Sequence, residues 1–256
     1  MDIQRQKSWN ILLVGDSCED VYHYGTCERM SPEAPVPIFK EFRQEVKQGM
    51  SSNVEANLKS FGMEVEHIHN SEKIRKHRFI DDRYGQQLFR HDEGESVPVD
   101  PVLPAVSKTY DAVVVSDYDK GSITSETFRL LQSQLPPETP IFVDSKKKEL
   151  DCFKGCIIKI NESESKVATI GLTQDVIVTL GPNGARWRGR VFETDVVDVF
   201  DVCGAGDVFL ASLVYGFLKH DNMTEAIRIA NMCASLSVSK AGTYVLTEKD
   251  INDLCI

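Results

Sequence analysis

Residues 204–207 read Gly-Ala-Gly-Asp and run straight into the apolar stretch VFLASLVYGF. A helix that starts here exposes unpaired N–H groups and the positive end of its dipole. Such a terminus is a ready anion site. The small residues Gly204, Ala205 and Gly206 leave the backbone open to an incoming phosphate. Asp207 then stands where a carboxylate can take the proton of a reacting hydroxyl. Anion cradle plus acid is what phosphoryl transfer asks of a protein, which there positions groups and stabilises charge. An acid that only offset the helix dipole would contribute about 0.3–1 kcal/mol and would not need a glycine on each side of an alanine. The stretch is neither a Walker A loop nor a Rossmann fingerprint.

These residues need a scaffold, and the chain between residues 111 and 180 predicts one. DAVVVSD, PIFVDS, CIIKIN and DVIVTLG are short β-branched runs separated by helical stretches, the pattern of parallel strands buried on both faces. With Ile11–Val14 they predict an α/β fold around a parallel sheet. Ligands bind beyond the carboxyl ends of such strands, so Asp16, Asp117, Asp144 and Asn161, which end these runs, should face one edge. The segment GMSSNVEANLKSFG predicts a helix stopped at Gly62, and VEHIHN a short strand. SPEAPVPIFKEFRQEVKQG predicts an extended edge excursion. IRKHRFIDDRYGQQLFRHDEGE predicts a polar hairpin around DDRYG. About 34–47 and 75–92 should together form a small sheet standing off the main body. GDVFLASLVYGFLK predicts a buried helix, followed by an amphipathic helix entered at Thr224 and a third opened by Thr247 with Asp250.

The 256 residues suit one domain, and the net charge of −10 disfavours a general nucleic-acid binder. No apolar run reaches the length of a membrane span. Ile11–Val14 is too short for the apolar core of a signal peptide, so residues before it read as a polar lead and the chain as cytoplasmic. The seven cysteines are odd in number and scattered; they read as reduced packing thiols, and Cys152/Cys156 alone make a poor zinc signature. The histidines, His67 and His69 included, read as packed or solvated.

DVCGAGDVFLASLVYGF closely resembles the C-terminal signature of the ribokinase-like (PfkB) family of carbohydrate kinases. ILLVGDSCEDVYHYGTCERMSPEAPVPIFK, RFIDDRYGQQLFRHDEGE, VVVSDYDKGSIT, IFVDSKKKELDCFKGCIIKINESE and AGTYVLTEKDI follow in the family's order and are similar to its heptose-phosphate kinase branch. The resemblance covers roughly residues 10 to 254. It implies a single three-layer α/β/α domain over 1–256 with a mostly parallel central sheet and a small β-sheet lid. It also implies ATP-dependent phosphorylation of a phosphorylated heptose or related sugar.

By the same resemblance Asp207 would be the base and residues 204–206 the anion hole. Asn161 and Glu164 would order Mg²⁺ near the ATP phosphates. Thr179, Gly181 and Gly184 would line the nucleotide site, with Asn231, Lys240 and Gly242 near the adenine. Asp16, Asn53, Gly49 and Arg90 would meet the sugar, and Lys146–Lys148 would lie where a basic group meets phosphate. The implied assembly is a homodimer paired through the lid sheet. Local alternatives stand beside these roles. Asp16 could cap the next segment, Asn161 and Glu164 could simply start a helix, and the lysine run could be a solvated face.

The chain departs from the family pattern in two places. Met50 replaces the second glycine of the pair before the N-V-A segment, and Glu55 replaces a small residue. Met50 is therefore expected to reshape the sugar pocket. Between SFGMEVEHIHN and IRKHRF a βα portion beside that pocket is lacking. No nucleotidyltransferase segment follows Ile256, so a nucleotidyltransferase activity is not expected. Two further readings remain: a kinase for another sugar or a nucleoside, and a catalytically inactive nucleotide- or sugar-binding homologue.

Overall fold

The computed structural model describes residues 8–95, 106, 108–171, 174–240 and 242–256. The polar lead over residues 1–7 lies outside them. The chain opens with strands β1 (Asn10–Gly15), β2 (Ser17–Met30) and β3 (Pro37–Met50), then helix α1 (Ser51–Ser60) and strand β4 (Glu64–His69). The hairpin strands β5 (Arg75–Asp81) and β6 (Gln86–Glu93) follow, then β7 (Ala112–Asp117), α2 (Ser125–Ser133), β8 (Ile141–Ser145) and β9 (Ile157–Asn161). The last part holds α3 (Glu162–Ser165), β10 (Asp175–Thr179), β11 (Ala185–Trp187), β12 (Arg190–Phe192), α4 (Ala205–His220), α5 (Met223–Val238) and α6 (Glu248–Asp253).

The large sheet has the order β12-β11-β10-β9-β8-β7-β1-β4. It is parallel from β10 to β4, and β11 and β12 add an antiparallel end. The four β-branched runs are β7 to β10, buried on both faces as their composition demands. One face packs Ile11, Leu13, Val114 and Phe142 against α1, α4 and α5. The other packs Leu12, Val113, Val143 and Ile158 against Phe128 and Leu131 of α2. The architecture is thus a three-layer α/β/α sandwich with a mostly parallel sheet. Because β1, β7, β8 and β9 run in parallel, Asp16, Asp117, Asp144 and Asn161 leave them at one edge.

The small sheet has the order β3-β2-β5-β6. The sequence predicts lid strands near 34–47 and 75–92; β2, between its two neighbours, is the addition. Cross-strand pairing puts Asp20, Tyr22, Lys47 and Arg78 on one face and Val21, His23, Val46, His77, Phe79 and Phe89 on the other. Across that second face a polar chain joins all four strands: Glu41 Oε2 to His23 Nδ1 at 2.8 Å, His23 Nε2 to His77 Nδ1 at 2.8 Å, and His77 Nε2 to Glu93 Oε2 at 3.2 Å.

Two expectations shift in detail. The amphipathic helix starts at Met223, with Asn222 rather than Thr224 outside it, because the Asn222 side chain accepts from the amides of Thr224 and Glu225. The helix after CIIKIN is a single turn, Glu162–Ser165. Thr247 and Asp250 form the expected reciprocal cap.

Candidate active site

Gly204 caps α4 in the left-handed region, with φ of +78°. A Cβ there would meet Asn53 Nδ2 at 2.7 Å, and one at position 206 would meet Lys159 Nζ at 2.8 Å. Backbone conformation thus favours glycine at 204, while at 206 the near neighbour is the end of the Lys159 side chain. Ala205 and Gly206 line a cavity of about 240 Å³. Thr179, Gly181, Gly184 and Asn231 line the same cavity, so four of the residues assigned to nucleotide meet the proposed anion hole. Asn231 is held by a bond from its Nδ2 to Phe192 O. Lys240 is exposed, and neither it nor Gly242 is among the lining residues. Gly242 instead lies under the small sheet, where a Cβ would meet Lys47 Nζ at 2.9 Å.

Much of the cavity wall comes from a segment the sequence did not single out. Val196, Val197, Val199 and Val202 face it, opposite Phe209, Ala234 and Val238. The segment has no secondary structure, so its valines show no period to read. Asp201 fixes its end: one carboxylate oxygen accepts from Cys203 N and the other from Gly242 N, both at 2.9 Å.

Asp207 sits one residue past the cavity wall and is only 3% exposed. Its Oδ2 accepts from Asn53 Nδ2 at 3.0 Å and its Oδ1 from the Tyr118 hydroxyl at 2.8 Å. Burial pushes its carboxyl up to about 6, against the opposing pull of those two bonds. Behind it runs a charge chain, buried at Lys159 and Asp144 and partly exposed at Lys146 and Glu164. Lys159 Nζ meets Asp144 Oδ2 at 2.7 Å, Lys146 Nζ reaches Asp144 Oδ1 at 3.5 Å, and Lys146 meets Glu164 Oε1 at 2.6 Å. Burial would raise the Asp144 carboxyl, but Lys159 and Lys146 outweigh it and hold it below the usual range. Burial would likewise lower Lys146, yet Asp144 and Glu164 hold it above the ordinary ammonium value. Lys147 turns inward to Asp117 and Asp119, while Lys148 is exposed. Two of the three lysines are therefore tied into the site edge rather than forming a solvated face.

Lys159 itself was not foreseen. Its signal was visible: a single cation inside the apolar strand IIKIN must be paired when buried. Asn161 and Glu164 cap each other, Asn161 Oδ1 accepting from Glu164 N and Glu164 Oε2 from Asn161 N. The helix-starting role is therefore present, and Glu164 Oε1 adds the bond to Lys146.

Asp16, expected to meet the sugar, is fully buried. Its oxygens accept from the amides of Tyr118, Lys120 and Ser122, so it fixes the loop after β7. Gly49 lets Asp20 and Cys18 approach: a Cβ would meet Asp20 Oδ2 at 2.3 Å. Arg90 lies on exposed β6, paired with Asp92. Arg78, on β5, bonds Asp20 Oδ1 at 2.9 Å and reaches Cys203 Sγ at 3.6 Å, joining the small sheet to the loop before α4. Met50 has φ of +55°, a left-handed conformation that favours glycine, and buries its side chain with Cys18, Ile74 and Tyr118.

His67 is packed, as expected, and both of its ring nitrogens are bonded. Its Nδ1 meets Glu55 Oε2 and its Nε2 meets Ser51 Oγ, both at 2.9 Å. This links β4 to the first turns of α1, which carries Asn53. The departure at Glu55 thus has a structural partner.

Residues 147–250 match the pfkB family carbohydrate kinase profile. The chain is 32% identical over 305 residues to the "Bifunctional protein HldE" of a Nitratiruptor species, covering 95% of this chain and 64% of that protein. It spans less than two thirds of the length of that relative and of a second HldE, from Pelobacter propionicus, at 28% identity, 96% and 63% coverage. Among solved structures it superposes on Escherichia coli phosphofructokinase-2 in complex with potassium (TM-score 0.71, 14% identity, 96% of this chain and 98% of that one). It also superposes on Arabidopsis thaliana ribokinase complexed with ribose and ATP (TM-score 0.66, 16% identity, 97% and 99%). Fold, ordered motifs and the matched segment agree: residues 147–250 match the pfkB family of carbohydrate kinases, and the described residues take the fold of the ribokinase-like structures.

Proposed function

We propose that this chain transfers the γ-phosphoryl group of ATP to a hydroxyl of a phosphorylated heptose or related sugar. The observation that carries this is the placement of Asp207. It follows directly after the two residues, Ala205 and Gly206, that open the α4 N-terminus to the cavity. ATP would place its base between the valine wall and α5, and its phosphates at the α4 terminus beside Lys159. Asp207 would take the acceptor proton, and the lid would close over the sugar through the Arg78 side of its sheet.

Mg²⁺ fits the residues only as an ion that keeps much of its water. Among the described residues no cluster of three or more His, Cys, Asp or Glu could hold a metal. Glu164, with Asn161 beside it, offers the single carboxylate that an ion bound mainly by water and nucleotide phosphates requires. When bound it would neutralise charge on the phosphates.

A second reading, a nucleotide or sugar binder without turnover, is favoured by the cover over Asp207. A coupled ADP-release assay across hexoses, heptose phosphates and nucleosides separates the readings. Release with a heptose phosphate supports the kinase for that sugar. Release confined to another alcohol shifts the substrate, and calorimetric ATP binding with no release on the whole panel overturns the kinase.

The partner proposed is a second copy of the chain. The lid face away from the site exposes Val46 and Phe89, and β3 and β6 are the edges of that sheet. Sedimentation at micromolar concentration tests it; a monomer only would reject it. No helix among the described residues is long and apolar enough to cross a membrane.

A further inference from the structure

We propose that the Tyr118 phenol is a cap on Asp207: it occupies the base until an acceptor hydroxyl displaces it, and so keeps water from consuming ATP. This rests on the kinase reading above.

The argument starts from where Tyr118 is held. It lies in the loop after β7, and its own amide and those of Lys120 and Ser122 donate to the buried carboxylate of Asp16. The backbone of that loop is therefore fixed. The side chain alone is left to move, by rotation about its χ angles. The phenol points at Asp207 Oδ1 at 2.8 Å and donates to it, while Oδ2 is engaged by Asn53. An acceptor hydroxyl that is to lose its proton to Asp207 needs the same oxygen in the same donor geometry. Asn53 is an amide and gives up no proton at neutral pH. The phenol is thus the group in the acceptor's place.

Two cations brace the ring. The ammonium groups of Lys76 and Lys146 lie 5.5 and 5.4 Å from its centroid. Lys146 pairs with Glu164 and Asp144, and Lys76 with Glu95. An arriving anionic sugar would compete for these lysines and loosen the ring as it claimed Asp207.

The cap answers a specific hazard. A kinase with ATP bound and its base open to solvent would transfer the phosphoryl group to water, with water losing its proton to Asp207 and yielding ADP and phosphate. Excluding water until the acceptor is present suppresses that side reaction. Asp207, only 3% exposed, is shielded in this way.

The test uses the full chain, with MgATP alone and then with the panel member giving the fastest ADP release. Tyr118→Phe removes the donor and keeps the ring; Tyr118→Ala removes both. Acceptor-free ADP release should rise in Tyr118→Phe and rise further in Tyr118→Ala. The KM for acceptor should fall up to about tenfold in Tyr118→Phe, the scale of one hydrogen bond to a charged group that no longer competes. The acid limb of kcat/KM should move to higher pH, since a donor to the ionised form is lost. The charged and titratable groups around Asp207 that remain in the variants are Asp144 and Lys159 from β8 and β9, Lys146, Cys18 and Cys203.

A structural role for Tyr118 would change folding or kcat without raising acceptor-free release. Unchanged release in both variants, with a KM that rises, overturns the cap and makes Tyr118 a sugar contact. Phosphate found on Tyr118 by mass spectrometry after incubation with MgATP also overturns it, because the phenol would then be an acceptor itself. Absence of ADP release from every protein on every acceptor overturns the kinase reading and the cap with it.

Discussion

The two sides of Asp207 are built in opposite ways. The side proposed for the donor is an apolar cavity of about 240 Å³ whose valine wall and α5 residues leave it open. The side proposed for the acceptor is filled by polar and charged side chains that are already engaged: Tyr118 and Asn53 with Asp207, Lys146 with Glu164, and Arg78 with Asp20. An adenine is flat and held largely by burial, so an open slot suffices. A sugar is held by hydrogen bonds, and groups waiting to make them must pair with each other meanwhile or remain buried and unsatisfied. On the proposed function an open cavity therefore marks the donor side, while the acceptor side must be read from what its side chains are holding.

The largest expected effect joins the two sides. Asp207→Asn should lower kcat by at least roughly 10²-fold in the ADP-release assay; near-normal turnover would remove Asp207 from the chemistry. The same change should leave the fold more stable at neutral pH. A carboxyl raised from 3.8 to about 6 is more stable folded when protonated. Its stabilising contribution is complete below pH 3.8 and lost as the pH rises through about 6, at a cost of up to roughly 3 kcal/mol. Asparagine avoids this cost while still accepting from Asn53. Thermal melts should show the variant ahead of wild type at about pH 8 and level with it below about pH 4. A variant less stable at the alkaline end would deny that burial strains the base. For wild type, kcat/KM should climb through a pH of about 6 as Asp207 ionises.

Next in size is the charge chain under the anion hole. Lys159→Met should destabilise by roughly 3–5 kcal/mol, because it leaves Asp144 buried without its main partner. Adding Asp144→Asn should recover much of the loss, and failure to do so would mean the two residues do not act as a pair.

Met50→Gly sharpens the acceptor side. Relief of the positive φ is worth about 1 kcal/mol, while the loss of a buried methionine costs about 2–5 kcal/mol. Packing should win, with a net loss of about 1–4 kcal/mol in urea unfolding, together with a broader acceptor range. A gain in stability would reverse that ranking.

Legibility in the sequence follows the distance over which a feature is set. The GAGD helix start, the four parallel strands and the Thr247 cap are local, and each was readable from neighbouring residues. Strand β2 was not: CEDVYHYGTCERM mixes polar and apolar residues because strands on both sides and the cleft together decide what it buries. Tyr118 and Asp207 are 89 positions apart, and nothing local in SDYDKG says that the ring turns toward the base. His67 and Ser51 are closer in sequence, but they meet only because β4 and α1 pack side by side. The 194–202 segment borrows its order from α5, so its four valines looked like an unpatterned loop.

The tie of His67 to Glu55 and Ser51 has one more consequence. Strand β4 is the last of the large sheet, at the place where the family pattern calls for a further βα unit. An unguarded rim there would recruit strands from other molecules. One face of β4 instead carries Glu64 and Glu66, with Glu66 engaged by Lys108 and Tyr110, and the other carries the pinned His67. Electrostatic sealing replaces the apolar blanket that a missing layer would have supplied, letting a shorter chain end its sheet without becoming sticky.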